Sequence, residues 1–230
     1  MQEIVLAILL SLEPAHNDHE TWAQRTERLT YIADAIDQAS AEATCEAPFG
    51  TDDCAPIWKG SRQELATLLA VNGWVESKYA LNVHEGKCRP WECDSIKGKD
   101  GKVVFRARTP WQIHQSTYLV TGEWKGMFGS SSEATKVAAR VAARILSDSY
   151  GVCRTIPGAL ARYGGAACTW KGVGYRYKLW QTIVKKSQEA LQADQASWER
   201  QLARPKLLQV KIIPSPTKVS VKNEKSKTNG

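Results

Sequence analysis

No run of apolar residues in this 230-residue chain approaches the ~20 that a helix needs to cross a bilayer, which excludes an integral membrane protein. The longest such run, Ile4–Leu10, is preceded by Glu3 and lacks a basic stretch before it. It makes a poor secretory leader, and the opening turns of an amphipathic helix are expected there instead. No segment repeats, and no C-x-x-C pair is present. Apolar residues at 43% and charged residues at 24% leave no room for a wholly disordered or fibrous chain. Net positive charge is nearly absent outside one place. From Arg204 onward seven Lys and Arg face a single Glu, so residues 204–230 hold nearly all of the net charge of +7. That segment also carries Pro205, Pro214 and Pro216 and reads as a flexible basic tail. With residues 1–203 close to neutral, nucleic acid is not an expected partner despite a pI of about 9.1.

The six cysteines fall as three local pairs around turn-rich segments: Cys45 with Cys54, Cys88 with Cys93, Cys153 with Cys168. A disulfide framework and an oxidising destination fit this spacing. Of the 15 pairings that six cysteines allow, the local one is the simplest. A metal site built from His84, Cys88 and Cys93 is the rival reading, and it lacks a second pair at zinc-like spacing. No metal or cofactor is expected.

Apolar residues at helical spacing predict a helix over about Glu20–Glu46. Ser61 followed by Glu64 is a capping box, which starts a second helix expected to run to about Ala80. At ~100° per residue, Glu76 lies roughly 20° from Leu65 around that helix. A carboxylate thus stands in the middle of an apolar face. Desolvation favours its protonated form, which is what a general acid needs. Otherwise the helix turns it to water, or it pairs with Lys78 or a distant Arg. Further along, Lys102–Arg106 predicts a short strand and a β-hairpin after the Asp100–Gly101 turn. Ser130 and Glu133 suggest another capping box, opening a helix that Gly151 stops. A short helix over Pro157–Tyr163 ends at Gly164–Gly165, and a last one covers about Tyr175–Leu202.

Four motifs follow one another: Glu76–Ser77 at a helix end, Thr109–Pro110–Trp111–Gln112, Ala161–Arg162–Tyr163–Gly164–Gly165, and Tyr175 before the last helix. In this order they resemble the soluble lytic transglycosylase family of the goose-type lysozyme superfamily. That family carries Glu-Ser, a Gly-Leu-Met-Gln-like motif, an Ala-Tyr-Asn-Ala-Gly-like motif and a late Tyr. The resemblance covers about residues 60–190. Thr109–Pro110–Trp111 stands in place of Gly-Leu-Met, and Tyr163 in place of Asn. Trp111 either offers an aromatic face to a sugar or packs in the core.

The resemblance implies a mainly α, lysozyme-like single domain over residues 1–203 with a small β-hairpin insert. It implies Glu76 as catalytic acid and base, with Ser77, Gln112, Tyr163 and Tyr175 or Tyr177 binding the glycan. The activity implied is cleavage of the N-acetylmuramic acid–N-acetylglucosamine β-1,4 bond, giving 1,6-anhydromuramyl products. A hydrolase would instead use a second carboxylate to activate water, with Glu85, Glu92 and Asp94 as candidates. A glycan-binding relative without catalysis is the other alternative. His84 and His114 are expected beside the groove in structural roles. The partners implied are peptidoglycan strands and, through the tail, the anionic wall surface. The chain is expected as a monomer outside the cytoplasm: secreted, periplasmic, or carried by a phage particle or released in lysis.

Overall fold

The computed structural model describes residues 1–12, 20–46, 48–89, 92–114, 123–169 and 173–203. Seven α-helices run through them: α1 (Gln2–Ser11), α2 (Trp22–Thr44), α3 (Arg62–Ser77), α4 (Leu81–His84), α5 (Ser132–Cys153), α6 (Ile156–Tyr163) and α7 (Val173–Ala203). None is long and apolar enough to cross a membrane. Between α4 and α5 lie two antiparallel two-stranded sheets. The first pairs β1 (Ser95–Lys97) with β2 (Val103–Phe105), Ile96 opposite Val104. The second pairs β3 (Ala107–Arg108) with β4 (Ile113–His114). The fold is therefore mainly helical with a small β insert, as the sequence predicts, although the insert holds two hairpins rather than one. Contacts divide the chain into Met1–Leu191, which carries the core, and Gln192–Gly230, helical as far as Ala203. The basic tail, residues 204–230, lies outside the described residues.

α3 is the central element. Every residue from Leu65 to Gly73 is buried, with no face left for water, the mark of a helix enclosed by others. α1 and α2 pack on it, and α5 lies along α2 and against α6. The capping box at its start is present: Ser61 Oγ accepts from the Glu64 amide at 3.1 Å, and Glu64 Oε2 accepts from the Ser61 amide at 2.8 Å.

Three helix ends differ from expectation. α3 stops at Ser77 rather than near Ala80, because Lys78 and Tyr79 take left-handed φ angles of 53° and 50°. The Tyr79 ring then folds back under α3, and its hydroxyl donates to the Ala70 carbonyl at 2.7 Å. α5 is capped by Ser131, not Ser130: Ser131 Oγ accepts from the Ala134 amide at 3.2 Å. Glu133 still falls in the first turn, where the helix dipole favours a negative charge. Nor does Gly151 stop α5. A helical glycine costs only about 1 kcal/mol, and the helix runs on to Cys153, where Arg154 caps it at φ 60°.

All three disulfides have the local pairing, 45–54, 88–93 and 153–168. Joined in this way, Cys88 and Cys93 cannot ligate a metal, and His84 is held by Thr135 instead.

Candidate active site

Glu76 lies one residue before the end of α3 and lines a cavity of about 840 Å³. Its side chain is 17% exposed and is ion-paired with Arg176 from the first turns of α7, whose side chain is 11% exposed. Arg176 Nη1 also donates to Asn72 Oδ1 at 3.2 Å. Of the alternatives open from the sequence, pairing with a distant arginine is the one found, so Glu76 is an ion-paired carboxylate and not the lone carboxyl on an apolar face that helical spacing suggests. Lys78 instead lies over the Trp74 ring, 3.1 Å from its centre.

Gln112 and Tyr163 line the same cavity. Gln112 Nε2 donates to Cys93 Sγ at 3.1 Å and to the Thr109 carbonyl at 3.2 Å. The loop that carries it is bent through two left-handed residues, Thr109 at φ 73° and Gln112 at φ 48°. A β-branched residue at such a φ is a true outlier, and strain of this kind gathers at functional sites. Trp111 between them is fully buried and donates from Nε1 to the Leu69 carbonyl at 3.0 Å, so it is a core residue that pins the loop to α3. Tyr163, at the end of α6, donates its hydroxyl to the Trp111 carbonyl at 2.8 Å. Burial first, and then the nearby Glu76 charge, push its phenol well above the usual range, so it remains a neutral donor.

The other residues that the resemblance singles out do not line this cavity. Ser77 is buried, and its hydroxyl donates to the Gly73 carbonyl at 2.9 Å while accepting from the Tyr79 amide at 3.1 Å. It is engaged in ending α3. Tyr175 is 59% exposed and stands against Trp74, ring centres 6.5 Å apart. Tyr177 stacks on Trp180 at 5.8 Å, against the core.

Further carboxylates do reach the cavity: Glu92, Asp94 and Asp148. Each has a partner. Glu92 accepts from Asn82 and from the Arg89 amide. Asp94 meets Arg106 at 2.9 Å and His114 Nε2 at 3.5 Å. Asp148 faces Arg162 at 3.5 Å. Glu85 lines a smaller cavity of about 360 Å³ instead, beside Arg28 and Glu27. His114 is on the main cavity wall, whereas His84 is 2% exposed with Nε2 2.8 Å from Thr135 Oγ1. Burial, aided by the charge of Arg28, holds His84 down at about 3, so it is neutral and structural.

Arg176 and Asp148 are the site residues that the sequence reading missed. The signal for Arg176 was indirect: a carboxylate on a buried face requires a cation or donor. Comparison with family models, with curated proteins and with solved structures finds no match for this chain.

Proposed function

We propose that this chain cleaves peptidoglycan as a lytic transglycosylase, on a lysozyme-like fold, with Glu76 as its single acid and base. The observation that carries the reading is the presence of Glu76, Gln112 and Tyr163 in the lining of one cavity. These residues come from three separate segments, and the family resemblance groups them for a reason independent of the coordinates. A second observation supports it. Thr109 stands where the family motif has glycine, and its φ of 73° is the backbone shape that glycine favours.

In the proposed reaction Glu76 donates a proton to the glycosidic oxygen as the bond to the muramyl C1 breaks. Positive charge develops at C1 and the ring oxygen. The carboxylate then removes the proton of the muramyl 6-hydroxyl, whose oxygen attacks C1 and closes the 1,6-anhydro ring. No water is consumed. Gln112 and the neutral Tyr163 phenol supply polar groups fixed to the loop and to α6, ready to hold sugar hydroxyls or N-acetyl groups. Their positions are set by the Cys93 sulfur and the Trp111 carbonyl before substrate arrives. Catalysis by fixed polar groups depends on such preorganisation.

A hydrolase is the second reading, because Asp94 and Glu92 share the cavity with Glu76 and a carboxylate across the glycan is what water activation requires. The three disulfides suit an extracytoplasmic place of action for either enzyme. Mass spectrometry of muropeptides released from purified peptidoglycan, wild type beside Glu76→Gln, separates the readings. Anhydromuramyl products that vanish in Glu76→Gln are expected. Reducing-end products would mean a hydrolase. A folded wild type that sediments with the wall yet releases nothing would mean a glycan-binding protein.

A further inference from the structure

Glu76 receives little restraint from its own helix. α3 ends one residue later, and the chain then turns through two left-handed residues. A glutamate carboxyl rotates about three bonds, whereas a working proton donor must be held within about 0.5 Å of its productive position. The restraint comes from 100 residues away in sequence. One nitrogen of Arg176 donates both to the Glu76 carboxylate and to Asn72 Oδ1. Asn72 stands four residues before Glu76, on the same face of α3, and is fully buried. One guanidinium therefore ties side chains of two successive turns. Beside it Tyr175 lies against Trp74, so the start of α7 is fastened to the last turn of α3 at two adjacent points. Arg176 lines the cavity while remaining largely shielded from water.

We infer that Arg176 is the positioning residue of the Glu76 carboxyl, a role that rests on Glu76 being the acid and base of glycan cleavage. It acts through the carboxyl it holds. A guanidinium nitrogen holds two N–H donors in a fixed plane, which suits a site where one nitrogen serves two acceptors.

The test uses the full chain and a soluble tetrasaccharide of alternating N-acetylglucosamine and N-acetylmuramic acid, with kcat and KM measured separately. Arg176→Ala should lower kcat on the order of 100-fold, the cost of misplacing a reacting group by about 1 Å. KM should move little. Millimolar guanidinium should restore part of the lost kcat in Arg176→Ala, and Arg176→Lys should retain more activity than the alanine variant. A side chain needed only for folding would show neither rescue. The inference is overturned if Arg176→Ala keeps wild-type kcat, if the loss falls on KM alone, or if neither guanidinium nor lysine restores turnover. A wild type that leaves the tetrasaccharide intact overturns the glycan-cleavage reading itself, a result visible before any variant is made.

Discussion

The Tyr79 ring occupies the place that a side chain at residue 73 would take. A Cβ on Gly73 would fall 2.6 Å from Tyr79 Oη and 2.9 Å from two ring carbons. The glycine in the middle of a buried helix is thus explained by the aromatic ring that returns beneath it. The same ring fixes where α3 ends, and so where Glu76 stands. Gly73→Ala should destabilise the protein by about 1–3 kcal/mol, the usual cost of overpacking a core. Urea titration followed by circular dichroism reads this directly. If Glu76 is the acid and base proposed above, glycan cleavage should fall too, because the ring cannot yield without moving the end of α3.

Arg28 and Glu20 hold that turn from the other side. Arg28 donates to both Glu20 oxygens, at 2.6 and 2.9 Å, and to the Tyr79 carbonyl at 3.0 Å. Both side chains are almost wholly buried. Removing one partner leaves the other charge without compensation. Glu20→Gln should therefore cost about 3–5 kcal/mol in a denaturant titration. The double variant Glu20→Gln/Arg28→Met should cost less than Glu20→Gln alone, since it leaves no orphaned charge.

His84 sets part of the acid sensitivity. Held neutral in the fold at about 3, against 6.5 in an unfolded chain, it takes up its proton in the unfolded state first. Above pH 6.5 neither state is protonated there, and the residue adds no pH dependence. As pH falls below 6.5 the unfolded state gains protons and stability is lost, at about 1.4 kcal/mol per pH unit from this one group. Ordinary carboxylates titrate below the window from pH 6.5 to 5, and comparison with a His84 variant separates this residue from the chain's other three histidines. His84→Gln should flatten the stability profile across that window, measured by urea denaturation at successive pH values.

The Cys88–Cys93 bridge should matter to binding as well as to folding. Cys93 Sγ accepts from Gln112, and both residues line the cavity. Cys88→Ser/Cys93→Ser should cost about 2 kcal/mol of stability by the loop-entropy relation. If Gln112 holds the glycan, KM for the tetrasaccharide should rise several-fold in the same variant, with kcat much less affected. An unchanged KM would separate Gln112 from substrate binding.

Much of the framework was readable from local signals, and what was missed lay in long-range ones. Ser61 and Glu64 announce a helix start because the chemistry is complete within four residues. The cysteine pairs announce themselves for the same reason. Ser130, Ser131 and Ser132 stand in a row, and any of them offers a hydroxyl to a helix start, so the local pattern does not single out Ser131 as the cap. Helical spacing carries α3 past its true end because the left-handed turn at Lys78 and Tyr79 depends on a ring packing against Gly73, which no local pattern records. The position of Glu76 on an inward face was legible from helical spacing. The identity of its partner was not, since Arg176 reaches α3 only through the tertiary fold.

The three bridges close separations of 9, 5 and 15 residues, and none joins distant parts of the chain. The cost of bringing two points of a flexible chain together grows with the length between them. Cysteines this close meet more often, even in an unfolded polypeptide, than partners a hundred residues apart. The native pairs are thus also those that random encounter favours. Wherever the surroundings are oxidising, the polypeptide can be oxidised correctly segment by segment, before any core has assembled. Such a chain resembles a string of small closed rings, which folds afterwards without having to reshuffle a bond.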